Sequence, residues 1–337
     1  MGRYKNILAF ALVLCLAIIP FGAVANDRPP GSWQQSVPLP TAEYEPWHAP
    51  RDLPTRQMGL NIQGSVPLVL PEIGVFYNDI NIHIGATVDS LLHGARSMRA
   101  RSITFDFETF RTSCTVSVLL RASVSSLISH TLVRSINFCP HTGVLVTAAE
   151  VTDFDIIPLA VRILREHMRR SPEFFYRTQS IDMANQTFFK TDDGITFLFD
   201  EFQLSSMVSG VFPLELSYSR IQMATISVEQ LLPNDHAYNL MMVPLRTVAQ
   251  QLGYHVEWVY GRVEVSLYTE DYRQLLIGVY PNVNEYHVQG HVRSLEAAPY
   301  NRNGYIYVPI TFFEQIMPLS VYSLDAFGNI TFLAYLG

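Results

Sequence analysis

Cysteine is scarce in this chain: 3 of 337 residues, at positions 15, 114 and 139. They form no C-x-x-C pair and no Cys/His cluster of metal-ligand spacing, which argues against a zinc or dithiol motif. Charge is thin as well. Charged residues make up 16% of the chain, and 30 acidic residues outnumber 23 basic ones. Nucleic acid is not an expected partner, because phosphate binding needs clustered Lys and Arg. No G-x-S-x-G nucleophile elbow is present, since Ser209-Gly210 lacks the preceding glycine. A glycine-rich phosphate loop is also missing. After the first 25 residues, no apolar run is long enough to cross a bilayer.

The first of the features present is at the N-terminus. Arg3 and Lys5 precede a continuous apolar run from Ile7 to Ile19. Pro20 and Gly22 break the run, and Ala23-Val24-Ala25 supplies the small residues that a signal peptidase reads. The run has 13 residues, whereas a spanning helix needs about 20. Residues 1–25 therefore read as a cleavable secretory signal, with an uncleaved anchor as the alternative. Cleavage removes two basic residues and no acidic one, taking the formal charge from -7 to -9. An acidic product suits a cationic partner. Residues 26–71 hold nine prolines. Proline removes backbone donors and restricts its neighbours, so this stretch reads as a Pro-rich linker.

From Glu72 the pattern becomes that of a folded protein. Asp79 to Leu92 is apolar at mixed spacing. Ile103, Phe105 and Phe107 alternate with polar residues, as do Cys114, Val116, Val118 and Leu120; this is strand periodicity. Ala122 to Ser126 reads as a hairpin connection to a run from Leu127 to Phe138. A turn centred near Ser126 would set Cys114 against Cys139, making the pair a disulfide candidate; a one-residue slip would turn the two side chains to opposite faces. Pro158 to Met168 has the spacing of an amphipathic helix. Phe188 to Phe199 reads as two aromatic strands joined by a turn ending in Asp-Gly. The last third carries an internal repeat: Met242-Val243-Pro244-Leu245 matches Tyr307-Val308-Pro309-Ile310 at an offset of 65. Each copy continues as a short helix and two strands, which implies a pseudo-symmetric unit.

The search for chemistry is mostly negative. His141 lies beside Cys139, but a Cys–His dyad requires closeness in space. His287 and His291 are four apart with Gly290 between them, which reads as a turn and not as a metal pair. Asp106 with Glu108, and Asp153 with Asp155, read as solvent-facing acids more readily than as a glycosidase pair. Asp192-Asp193 is accounted for by its turn. No catalytic residue, metal or cofactor is expected.

Two resemblances add to this reading. Residues from about 75 to 221 resemble the extracytoplasmic domain of RsiV-type anti-sigma factors, a domain also found on a wall-polysaccharide deacetylase. The carriers are Phe188-Phe189-Lys190-Thr191-Asp192-Asp193-Gly194 through Phe199, then Gly210-Val211-Phe212, Leu216-Ser217-Tyr218-Ser219 and Ser135-Ile136-Asn137-Phe138. The resemblance implies an α+β fold and, for the best-known members, lysozyme binding. The loop Ala122-Ser123-Val124-Ser125-Ser126 departs from the family's Tyr- and Gly-rich loop. Residues from about 225 to 335 resemble the copper amine oxidase N-terminal-like domain of bacterial surface proteins. Val243-Pro244-Leu245-Arg246-Thr247-Val248-Ala249, Val256-Glu257-Trp258 and Tyr307-Val308-Pro309-Ile310 carry it, with Thr311 where Arg is expected. That module resembles a stalk or adhesion unit and is not the oxidase catalytic domain.

The expectation is an α+β protein of two modules. An antiparallel sheet with packed helices occupies 72–222, and a smaller pseudo-symmetric α+β domain occupies 223–337. The expected role is a secreted, extracytoplasmic, non-catalytic cell-envelope binding protein, with cell-wall association as one option, that binds wall glycan or a wall-active protein such as lysozyme. An accessory or enzyme acting on peptidoglycan polysaccharide and a structural surface-layer component are the alternatives. Ser125, Phe189 and Phe197 are the candidate binding residues.

Overall fold

The computed structural model describes residues 47–336 apart from 58, 128, 171–180, 205–209, 234–240 and 269–273. The expected signal segment lies outside the described residues. Residues 45–337 form one compact unit.

The segment expected to be linker is strand from His48 onward. β1 (His48–Asp52), β2 (Arg56–Gln57) and β3 (Leu60–Val69) all lie before residue 71. β1 pairs antiparallel with β3, and Pro50 faces Pro67. Two prolines opposite one another cost the ladder nothing where neither residue has to donate, and β1 is an edge strand. The burial of Trp47, Leu60, Ile62, Val66 and Val69 then outweighs the proline content. α1 (Tyr77–Ser97) follows, burying Ile80, Ile84, Val88, Leu91, Leu92 and Ala95 at helical spacing while Ile82 stays exposed. Asn81 locks the helix to the end of β3, its side-chain amide bonding the Val69 N–H at 2.9 Å and the Val69 carbonyl at 2.8 Å.

β4 (Ser102–Arg111), β5 (Val116–Ser125) and β6 (His130–Phe138) complete this sheet in the order β1-β3-β4-β5-β6, with β2 on β3. The β3–β4 pair is parallel and α1 supplies its crossover; the other pairs are antiparallel. The segment expected as the hairpin connection, 122–126, belongs mainly to β5. Ala122 and Val124 are buried, so their inward side chains extend the strand instead of ending it.

α2 (Ile157–Arg170) then covers a second, three-stranded sheet of β7 (Phe188–Lys190), β8 (Gly194–Phe199) and β9 (Phe212–Ser217). This small sheet docks on the larger one through polar side chains. Asn137 Nδ2 donates to the Phe188 carbonyl at 3.0 Å. The Phe188 and Lys190 N–H groups donate to Ser135 Oγ (3.1 Å) and Ser117 Oγ (3.2 Å). At the β6 edge, Asp200 accepts from Val133 N at 2.7 Å and Glu201 accepts from Thr131 N at 2.8 Å, so backbone donors at this edge are satisfied.

β10 (Ile221–Ile226) contains the expected 222/223 boundary and leads into the second module. That module comprises β11 (Leu232–Pro233), β12 (Met241–Pro244), α3 (Leu245–Gln251), β13 (His255–Val259), β14 (Arg262–Tyr268), β15 (Gln274–Val279), β16 (Tyr286–Val288), β17 (His291–Arg293), β18 (Tyr300–Arg302), β19 (Tyr305–Pro309), α4 (Phe312–Gln315), β20 (Ser320–Leu324) and β21 (Ile330–Tyr335). Its pseudo-symmetry is visible in the register: β12 and β19 are antiparallel with Val243 opposite Val308. Those two positions are equivalent in the 65-residue repeat, so a pseudo-twofold axis runs between them. Val243, Val248, Val308, Phe312, Phe313 and Phe332 share one core. The fold is α+β throughout, built from several sheets and four helices among the described residues.

Candidate functional site

A cleft lies where the modules meet. β10 pairs along its whole length with β21, from Ile221↔Tyr335 to Ile226↔Ile330. Val321 and Leu333 of the second module pack into the same core as Leu159, Ile163, Leu214 and Leu216 of the first. Over this seam opens a cleft of about 670 Å³, walled by α2, by β9 with the turn after it, and by Leu319 and Tyr335. Ile163, Pro213, Leu214, Leu319 and Tyr335 give it apolar surface. Glu166, His167, Arg170, Glu215, Ser217, Ser219 and Arg220 give it polar groups. Glu166 is held near pKa 2, first by the hydrogen bond from Arg169, against burial, and then by Arg170. Its ion pairs at 2.7 and 2.9 Å brace the end of α2. Sequence inspection missed this cleft, because its walls come from segments about 50 and 100 residues apart and no local motif marks them.

A second cluster gathers near the base of the β5–β6 hairpin. Cys114 is exposed and Cys139 is half-buried, and both are unbonded. β5 and β6 pair Val116 with Phe138, a register one residue away from setting Cys114 opposite Cys139. Continuing it one step puts Thr115 opposite Cys139. Lys190 Nζ lies 3.3 Å from Cys114 Sγ and donates to the Val151 carbonyl at 2.6 Å. Thr112 and Thr115 hydroxyls lie 3.8 and 3.7 Å from the same sulfur. Burial raises the Cys114 pKa, but hydrogen bonds from Thr115, Lys190 and Thr112, with the Lys190 charge, outweigh it and leave the thiol below its ordinary value. Cys139 is lowered too, chiefly by the Thr142 hydroxyl, with the charge of Cys114 acting in the opposite direction. The Tyr218 hydroxyl is pushed up to about 12 by burial and then by the Cys114 charge.

The pseudo-symmetric module can be placed among known proteins. Residues 233–326 match the copper amine oxidase N-terminal domain. The match covers most of the second module, stopping before β21, and does not extend into the first. A crystal structure of a DUF3298-family member from Bacteroides fragilis NCTC 9343 overlaps 51% of this chain and 89% of its own, at 10% identity and a TM-score of 0.30. An overlap that loose carries no argument. No curated protein matches the chain.

The copper amine oxidase N-terminal domain match lies in the module that holds His287 and His291. Among the described residues, no three His, Cys, Asp or Glu side chains converge to hold a metal. In this domain His287 and His291 sit on the two strands of the β16–β17 hairpin, paired with Val292 and Val288. The candidate binding residues of the first module do not converge either. Phe197 is fully buried under α2, so it offers nothing to a ligand. Phe189 points to the other face of its small sheet, where it stacks on Phe110 with ring centroids 4.1 Å apart and packs with Leu119, Val133 and Leu198. Both aromatics are packing residues, as alternation along paired strands requires. Ser125 is exposed at the end of β5, where its carbonyl accepts from Arg101 N at 2.8 Å. The acidic pairs are also accounted for. Glu108 pairs with Arg121, and Asp155 accepts from Ile157 N at 3.0 Å at the start of α2.

Proposed function

We propose that this is a secreted, non-catalytic cell-envelope binding protein, and that the cleft at the module seam holds a wall glycan. The observation that carries the reading is the lining of that cleft. A sugar chain presents C–H faces and hydroxyl edges. The cleft offers an apolar surface that includes the Tyr335 ring, beside the hydroxyls of Ser217 and Ser219 and the charged heads of Glu215 and Arg170. The sequence resemblance to wall-associated modules and the signal-like first 25 residues support an address outside the membrane. Among the described residues, no helix is long and apolar enough to cross one.

The test is binding of the full chain to purified peptidoglycan, followed by calorimetry with soluble glycan fragments. Tyr335→Ala and Arg170→Ala are expected to weaken binding about tenfold each, the loss that goes with about 1.4 kcal/mol. Binding that survives both changes, or no binding at millimolar glycan, sinks the assignment. A parallel titration with lysozyme addresses the other ligand expected for the first module. The acidic mature charge favours that cationic protein, and saturable lysozyme binding without glycan binding would move the assignment to it.

A further inference from the structure

We propose that Cys114, Cys139 and Lys190 form a thiol–disulfide exchange site, in which Cys114 is the nucleophile, Cys139 the resolving thiol and Lys190 the positioning cation, and that the site takes low-molecular-weight disulfides. The placement depends on the tertiary structure. Lys190 ends the short strand β7, and its backbone N–H bonds Ser117 Oγ at 3.2 Å. That bond fixes β7 beside the start of β5 and brings Lys190 Nζ to 3.3 Å from the Cys114 sulfur. The ammonium's bond to the Val151 carbonyl steadies it there. A cation this close favours the thiolate, which is the attacking form.

Cys114 is also accessible. It sits at a bend, where Thr112 N donates to the Thr115 carbonyl at 2.8 Å and Thr115 N donates to Thr112 Oγ1 at 3.0 Å. The bend takes its side chain out of strand alternation. Cys139 lies across the hairpin, opposite Thr115 when the β5–β6 register is continued one step, and so one residue out of register with Cys114. With antiparallel Cα atoms about 5 Å apart and one further residue of about 3.8 Å along the chain, the two cysteine Cα atoms lie at most about 9 Å apart, which a disulfide spans once the bend shifts. The Cys139 thiol lies within the field of the Cys114 charge. Tyr218 also lies in the field of Cys114, and His141 reaches the neighbouring Ser113 carbonyl at 3.3 Å.

The chemistry balances in two steps. The Cys114 thiolate attacks a disulfide R–S–S–R, forming Cys114–S–S–R and releasing R–S⁻, which takes a proton from water. Cys139 then loses its proton to solvent and attacks the Cys114 sulfur, releasing the second R–S⁻. Two protein thiols are oxidised to one disulfide, and one external disulfide is reduced to two thiols. The chain is left oxidised, so this is a stoichiometric modification.

The test uses reduced full chain carrying Cys15→Ser, treated with oxidised glutathione, quenched with acid at intervals and mapped by peptide mass. Glutathione is expected on Cys114 first, giving way to the Cys114–Cys139 disulfide. The Cys139→Ser variant is expected to stop at the mixed disulfide. Lys190→Gln is expected to slow the first step about tenfold at neutral pH and move the midpoint of its pH–rate profile upward, with Lys190→Arg restoring both. Circular dichroism matching the parent shows that these variants are folded. The proposal is overturned by a first adduct on Cys139, by a lasting adduct on Cys114 with Cys139 present, by disulfides between chains, or by a Lys190→Gln profile identical to the parent's.

Discussion

At the scale of single residues, two positions in the first sheet show how backbone and burial set tolerance. Gly64 has φ +87°, and a Cβ there would stand 2.0 Å from the Phe105 carbonyl oxygen. It ends the parallel β3–β4 ladder, where the neighbouring backbone leaves no room for a side chain. Gly64→Ala is expected to cost more than about 2 kcal/mol, read as a lowered urea midpoint at unchanged slope. His48 is the second. Its Nε2 lies 3.0 Å from Thr109 Oγ1, and its ring packs edge-on against Trp47 and Phe107. Burial lowers its pKa from 6.5. The unfolded chain then binds more protons at this site, so stability is full above about pH 6.5 and falls on acidification below it, by at most about 1.4 kcal/mol per pH unit. His48→Gln is expected to flatten the fall in melting temperature between about pH 7.5 and about pH 5.5; an unchanged slope would show that other groups carry it.

At the scale of elements, the docking of the β7–β8–β9 sheet on β5 and β6 is polar at its rim and aromatic at its centre. Asn137 is buried and ties β6 to β7 by its bond to the Phe188 carbonyl. Removing it leaves that carbonyl without its partner in a buried place. Asn137→Ala is expected to destabilise by about 1–3 kcal/mol, and faster amide exchange in β7 and β8 than in β3 would locate the loss. Phe197→Ala is expected to cost about 3–5 kcal/mol through the cavity left under α2. Little change in stability there would contradict the placement of Phe197 in the core. The elements themselves were largely legible. The α2 amphipathic spacing, the aromatic hairpin and the 65-residue repeat each appear where local pattern put them. The strands at 48–69 were not legible, because proline content signals a linker. Only the pairing of Pro50 with Pro67 on an edge shows why the prolines are tolerated.

At the scale of the molecule, the two modules share their boundary. β10 joins β21, and Val321 and Leu333 complete a core otherwise built by residues 148–216. A core spanning both modules couples their stabilities. The full chain is expected to unfold in one calorimetric transition, and a chain cut at residue 226 is expected to lose structure in α2 and β9 through exposure of Leu214 and Leu216. Two well-separated transitions in the full chain would contradict that coupling. The same seam forms the cleft, so its binding properties belong to the joined molecule.

The sequence alone determined what depends on near neighbours along the chain. That includes the α+β character, the aromatic hairpin at Phe188 to Phe199 and the repeat in the module that matches the copper amine oxidase N-terminal domain. The tertiary structure decided which face each strand buries, and so turned Phe189 and Phe197 from candidate ligand contacts into packing residues. It decided that β10 closes on β21 to make a cleft from segments about 50 and 100 residues apart. It also decided that Lys190 reaches Cys114 across 76 residues. The physical reason is common to all three: a strand's pattern records its own alternation, whereas its partner is chosen by burial and hydrogen bonding summed over the whole fold.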